Sequence, residues 1–174
     1  MANSSIISNL KNRIINEMIT DESIFYAINS PDITDFECSD ELIGTHIFKY
    51  NQNPNTLKRS STFITLQVHI SKQYDYSSSS NWVKPTLEIW IYSHEGCMEI
   101  NNIPGIDADR NDYIGQLLDA KFNGRTNFGV GESTINLIGQ LELVDSSEGA
   151  FSKDYLYRKL TFVTKDISKS FCGN

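Results

Sequence analysis

Cysteine is scarce in this chain of 174 residues: Cys38, Cys97 and Cys172 are widely spaced and odd in number. That excludes a dense disulfide framework and leads us to expect reduced thiols in a protein made in the cytosol. No apolar run approaches the roughly 18–20 residues needed to span a bilayer, so no membrane segment is expected. Met1 to Ser5 carry no basic region of the kind that opens a secretory signal. Basic residues are in deficit, 15 Lys and Arg against 22 Asp and Glu, giving a net charge of −7. A general nucleic-acid binder usually shows the opposite balance.

The acidic excess is concentrated. Residues 1–50 hold three basic and eight acidic side chains, whereas residues 51–104 carry four of each. This is the pattern of a solvated acidic face, or of a surface that meets a basic partner or repels DNA. The length suits one domain with its own core, and neither an internal repeat nor an interdomain linker is visible, so residues 1–174 are read as a single domain.

Apolar spacing predicts the elements. Ile6, Leu10, Ile14 and Met18, widened by Ile7 and Ile15, predict an amphipathic helix over 5–19. A short helix over 21–29 follows, starting at Asp21 and stopping before Pro31. Asp32–Glu41 reads as an acidic connector, 42–50 as an imperfect strand, and Asn51–Asn55 as a turn. Strict alternation predicts strands over 62–71 and 86–93, with Ile64, Leu66, Val68 and Ile70 on one face of the first and Leu87, Ile89 and Ile91 on one face of the second.

Between those strands, Gln73–Lys84 holds four consecutive serines flanked by Tyr74, Tyr76 and Trp82, which predicts an exposed, flexible loop. Its aromatics are candidate partner contacts or pack back on the sheet end. Asp109–Phe122 is expected as a helix, with Asp107, Asp109 and Asp112 at its positive start and Asn123-Gly124 as its stop. Two further strands are expected at 131–144, broken near Gly139-Gln140, and at 155–165, with a polar loop over Asp145–Asp154. Helices set apart from a run of strands predict an α+β fold with a mainly antiparallel sheet.

Chemical motifs fail one by one. Asp107-x-Asp109-x-Asn111 copies the opening of a calcium loop, but Asp112 stands where Gly is required and Leu118 where Glu is required. Gly129-Val130-Gly131 follows a helix and opens a strand, the reverse of a phosphate site. His94 and Cys97 have no second close pair of zinc ligands, and His94 reads as a turn residue. No Gly-x-Ser-x-Gly elbow is present, and Glu88-Ile-Trp90 and Glu142-Leu-Val144 lack the lysine of a carboxylate nuclease. No catalytic residue, metal ligand or cofactor is expected, and the chain reads as a contact protein rather than an enzyme.

One resemblance spans residues 40–166. The segment Ile47-Phe-Lys-Tyr-Asn-Gln-Asn-Pro54, the strand Thr62–Ser71, Leu87-Glu-Ile-Trp-Ile-Tyr-Ser-His94, Arg110-Asn-Asp-Tyr-Ile-Gly-Gln-Leu-Leu-Asp119, Phe122-Asn-Gly124, Phe128-Gly-Val-Gly131 and Tyr157-Arg-Lys-Leu-Thr-Phe162 together resemble small structural proteins of phages and prophages of AT-rich Firmicutes. Among these the chain is similar to tail terminator and neck proteins. The resemblance implies a virion protein made in the bacterial cytoplasm and no catalysis, metal or cofactor. It also implies a cyclic homo-oligomer, a hexamer, that caps the tail tube and meets the head connector. DNA would pass its channel without sequence-specific binding. A head-proximal adaptor or stopper, a tube-like protein and a non-viral binding module stay open as alternatives. On this reading Tyr74, Tyr76, Trp82, Asn51 and Asn53 are candidate partner contacts, and Asp107, Asp109 and Asp112 candidate acids of the channel wall.

Overall fold

The computed structural model describes residues 4–56, 61–73, 82–128 and 135–167. Helix α1 runs Ser4–Ile19 and buries Leu10, Ile14, Ile15 and Met18, the stripe that the spacing predicts. Helix α2, Glu22–Ile28, is capped by Asp21, whose carboxylate accepts the Ser23 and Ile24 N–H groups that begin the helix without partners. It ends at Asn29 in the left-handed conformation, a residue type that tolerates it.

Two expectations fail in the next stretch. The acidic connector is in part a 3₁₀ helix, Phe36–Leu42, with Asp35 as its cap and Leu42 buried. The strand expected over 42–50 shrinks to β1, Ile47–Phe48. Gly44 adopts a positive φ of 84°, and the chain turns there so that its N–H meets Ile47 O; that turn consumes the residues that would have extended the strand.

The hairpin strands are longer than their alternation suggests. β2 spans Thr62–Gln73 and β3 Trp82–His94, paired from Thr62↔Ser93 to Gln73↔Trp82. The expected loop Gln73–Lys84 is shortened at both ends, because backbone pairing continues past the last apolar alternation. Helix α3, Arg110–Phe122, follows with Asp109 as N-cap. It is succeeded by β4 (Asn127–Phe128), β5 (Ile135–Ala150) and β6 (Tyr155–Ile167). The expected break near Gly139-Gln140 is present as a register shift between Ile138 and Leu141. Asp145–Ala150, expected as loop, belongs to β5: its polar residues pair with Thr161 through Leu156, and only 151–154 turn. A strand at the side of a sheet needs backbone pairing on one flank, not apolar side chains, and polar composition hid it.

The sheet order is β1-β2-β3-β6-β5-β4, antiparallel except for β1 against β2. The fold is α+β. The main core packs the helices on one face, where Ile14, Met18, Ile24, Ile114, Leu118 and Phe122 meet Ile64, Leu66, Leu87, Ile89, Ile91, Leu160 and Phe162. The opposite face carries a second cluster of Phe48, Phe63, Tyr92 and Tyr155, bordered by Trp90 and Tyr157.

Candidate functional site

Three features rise from this frame. The first is the start of α3, where the sequence clusters its acids. Asp109 is exposed and accepts the Asp112 N–H at 2.9 Å, a cap as expected. Asp112 is engaged by Arg158, which also lies 3.6 Å from Glu148. Asp107 is exposed in the preceding segment. Asp109, Asn111, Asp112, Glu148 and Arg158 line a cavity of about 250 Å³ with Met98, Leu156 and Tyr157 among its walls. A guanidinium held between carboxylates makes a structural ion-pair cluster, with neither a nucleophile nor a base set against one.

Arg158 also explains why a glycine sits in the middle of α3. A Cβ on Gly115 would stand 2.8 Å from Arg158 Cδ and 3.0 Å from Nε. Gly115→Ala is therefore expected to destabilise the fold by about 1 kcal/mol in urea unfolding, because overpacking against the arginine stem outweighs the gain in helix propensity. In an Arg158→Ala background the same substitution should stabilise by about 1 kcal/mol. An equal effect in both backgrounds would show that the stem is not the obstacle.

The second feature is the ring cluster on the face turned away from the helices. Phe63 stacks on Tyr92 at 5.1 Å and meets Phe48 and Tyr155 edge-on at 5.9 and 5.8 Å. Trp90 stacks on Tyr92 at 6.0 Å and lies 5.2 Å from Tyr157, with Lys159 Nζ 5.5 Å from the indole centre. Burial, and secondarily Tyr157, pushes the Tyr92 phenol up to about 12. This cluster is a finding of the structure. Its residues come from four strands, β1, β2, β3 and β6, and the alternation of Trp90 with Tyr92 and of Tyr155 with Tyr157 is its only trace in the sequence.

The third feature is the sheet's two sides. β1 pairs only with Ile64 and Thr65, so among the described residues the outer edge of β2 from Leu66 to Gln73 has no strand beside it. On the other side β4 pairs with Asn136 and Ile135, and the chain after α3 bonds Leu141 and Leu143. The outer edge of β5 from Val144 to Ala150 has no strand beside it among the described residues.

The described residues include only some of the expected contact residues. Asn51 and Asn53 are exposed after β1, where Asn53 O accepts from Thr56. Tyr74 and Tyr76 lie outside the described residues, as does Gly129-Val130-Gly131, and Trp82 opens β3. His94 caps a short 3₁₀ helix, its Nδ1 accepting from Gly96 N–H, as a turn residue would.

Thiol chemistry finds no support in the two described cysteines. Burial raises the Cys97 thiol against the pull of Arg110, and Cys38 is raised by desolvation and then by Glu41, Asp35, Asp40 and Glu37. Both shifts disfavour the reactive thiolate. Among the described residues no group of three or more His, Cys, Asp or Glu is placed to hold a metal, and no helix is long and apolar enough to cross a membrane.

Comparison with known proteins places this architecture. No curated protein matches the sequence. Among solved structures the fold is similar to a chain of the "Virion of native gene transfer agent (GTA) particle", with a TM-score of 0.58 over 91% of this chain and 95% of that one. Identity there is 10%, so the likeness is one of fold. At the level of sequence, residues 15–164 match the family model described as YomW, which covers both faces of the sheet and all three helices in whole or part, and the chain belongs to the YomW family.

Proposed function

We propose that this chain is a structural protein of a phage-type virion, and that it acts in the neck or tail as a terminator-type ring between tail tube and head connector. The fold likeness to a chain of a gene transfer agent virion carries the reading, since it extends over nearly the whole of both chains. The site chemistry agrees: the described surface offers ion pairs, aromatic faces and open sheet edges, the materials of contact. Ring subunits join head to tail through two different surfaces, and rotation closes the set.

In the ring, Asp107, Asp109 and Asp112 border the channel, where acidic groups keep the wall from gripping phosphate. Asn51, Asn53, Tyr74, Tyr76 and Trp82 meet neighbouring proteins. The test is the native mass of the purified chain, followed by particle averaging of the large species. A closed ring with an open channel is the expected result, and the layer on which it stacks fixes its position in the neck. A chain that stays monomeric even when mixed with tail tubes would overturn the reading. Basic residues around the channel of an averaged ring would overturn the placement of the acids.

A further inference from the structure

The two open edges belong to one sheet and have opposite characters. The free stretch of β2, Leu66–Gln73, carries His69 and Lys72 and no acid; that of β5, Val144–Ala150, carries Asp145 and Glu148 and no base. Long unpaired edges invite pairing with another chain, and the usual defences are a lysine, a proline or a covering element. The β5 stretch has none of these among the described residues, and its Val144 is 52% exposed.

We propose that copies of this chain join edge to edge, the free stretch of β5 in one copy pairing with the free stretch of β2 in the next to extend the sheet across the interface. The occupant of each edge is thus a second copy, selected by Lys72 on one stretch against the carboxylates of Asp145 and Glu148 on the other, which stay half or more exposed beside Lys159 and Arg158 of their own copy, and by the near-equal lengths of the two stretches. Successive strands β2, β3, β6 and β5 alternate in direction, so β5 of one copy meets β2 of the next antiparallel. That is the orientation in which edge strands pair most readily.

Side-chain faces restrict the register. On the helix face lie Leu66 and Val68 of β2 and, by their pairing with Arg158 and Leu160, Glu148 and Ser146 of β5. A slip of one residue would put core-facing positions beside outward ones. Pairing the free stretches from end to end sets Leu66 against Ala150, Val68 against Glu148 and His69 against Ser147, and every one of these pairs shares a face.

This register has a consequence for closure. Within one copy Gln67, Glu88, Thr161 and Asp145 form a single row across the sheet, and Phe63, Tyr92, Tyr157 and Gly149 another. The proposed pairing places Gln67 of the next copy opposite Gly149, a shift of four residues along the strand. Four strands at about 4.8 Å and a shift of four residues at about 3.3 Å tilt the strands by about 35° to the ring axis, within the range at which sheets close on themselves.

The pairing deepens the ring reading and rests on it for closure, so the experiment separates the two. Cross-strand neighbours stand about 5 Å apart at Cα, within disulfide reach. The variant His69→Cys/Ser147→Cys is oxidised in the full chain and resolved without reductant, beside each single variant as a control for the native cysteines. A ladder of covalent multimers ending in one closed species is the expected result. Gln67→Cys/Ser147→Cys, two residues off register, should yield at least tenfold less. As an independent probe that leaves the core untouched, Val144→Lys should raise the concentration needed for assembly at least tenfold, with an unchanged monomer circular dichroism spectrum.

An open-ended ladder of fibres would support the edge pairing and overturn the ring. A closed ring by native mass with cross-links no stronger than in the single variants would overturn the edge pairing and leave the ring. A chain that forms no multimer under either probe, even when mixed with tail tubes, would overturn both.

Discussion

Replacing Arg110 with methionine is expected to lower the free energy of unfolding by about 4 kcal/mol, among the largest effects of any single polar side chain in this fold. Arg110 opens α3, is 2% exposed, and spends its guanidinium on backbone carbonyls. Nε donates to Cys97 O and Nη1 to Ala27 O, both at 2.5 Å, and Nη2 donates to Glu99 O at 2.9 Å and to Asn102 Oδ1 at 3.4 Å. Asn102 in turn donates to Tyr26 O. One planar fork therefore ties the end of α2, the 3₁₀ turn after β3 and the long segment before α3 to the helix itself. Methionine matches the stem in length but leaves three carbonyls without their donor, and each orphaned buried acceptor costs about 1–3 kcal/mol.

Lysine separates charge from geometry. Arg110→Lys keeps a cation near the carbonyls but offers a point donor in place of a fork that reaches four acceptors on three segments. About half of the loss should therefore persist, near 2 kcal/mol. Burial lowers the pKa of Arg110, yet an arginine so placed stays charged throughout the range in which proteins are handled, so its contribution should be flat with pH. Urea unfolding followed by Trp fluorescence measures all three quantities. A methionine variant within 1 kcal/mol of the parent would mean that the fork is replaced by water at no cost.

Much of this was legible in the residues, and what was not has physical reasons. The stripe Leu10, Ile14, Met18 and the alternation from Ile64 and Leu87 announce α1, β2 and β3, because a face buried against one partner must repeat with the period of its backbone. Asp109 announces a helix start in the same local way. Arg110 announces nothing. Its acceptors lie up to 83 residues away, and no window along the chain distinguishes a buried arginine from a solvated one. Asp145–Ala150 misled for the converse reason: strand identity at a sheet's edge comes from the neighbour, and β6 supplies it. The open edges that carry the proposed assembly are invisible for the same reason, since an edge is a property of strand order and not of composition.

Phe63→Ala is the second large effect and decides what the outer aromatic cluster is. On a sheet face turned away from the helices, six rings gathered together read equally well as a docking surface awaiting a partner or as a second core complete in itself. Burial favours the core. Phe63 is fully buried and touches Phe48, Tyr92 and Tyr155, so its truncation should cost about 4 kcal/mol, as for a ring removed from any close-packed interior. Trp90→Ala, at the partly buried border of the cluster, should cost about 1–2 kcal/mol. Tyr92 supplies an internal reporter. Its phenol ionises at about 12 in the fold and near 10 in an unfolded chain, so the neutral buried form contributes stability below pH ~10 that is lost as the pH climbs toward 12. Opening a cavity beside it with Phe63→Ala admits water, and phenolate absorbance should then show this group titrating closer to the ordinary tyrosine value. If the truncation costs little and Tyr92 still ionises at about 12, the rings do not depend on one another, and the cluster is a surface held by the sheet rather than a core that holds it.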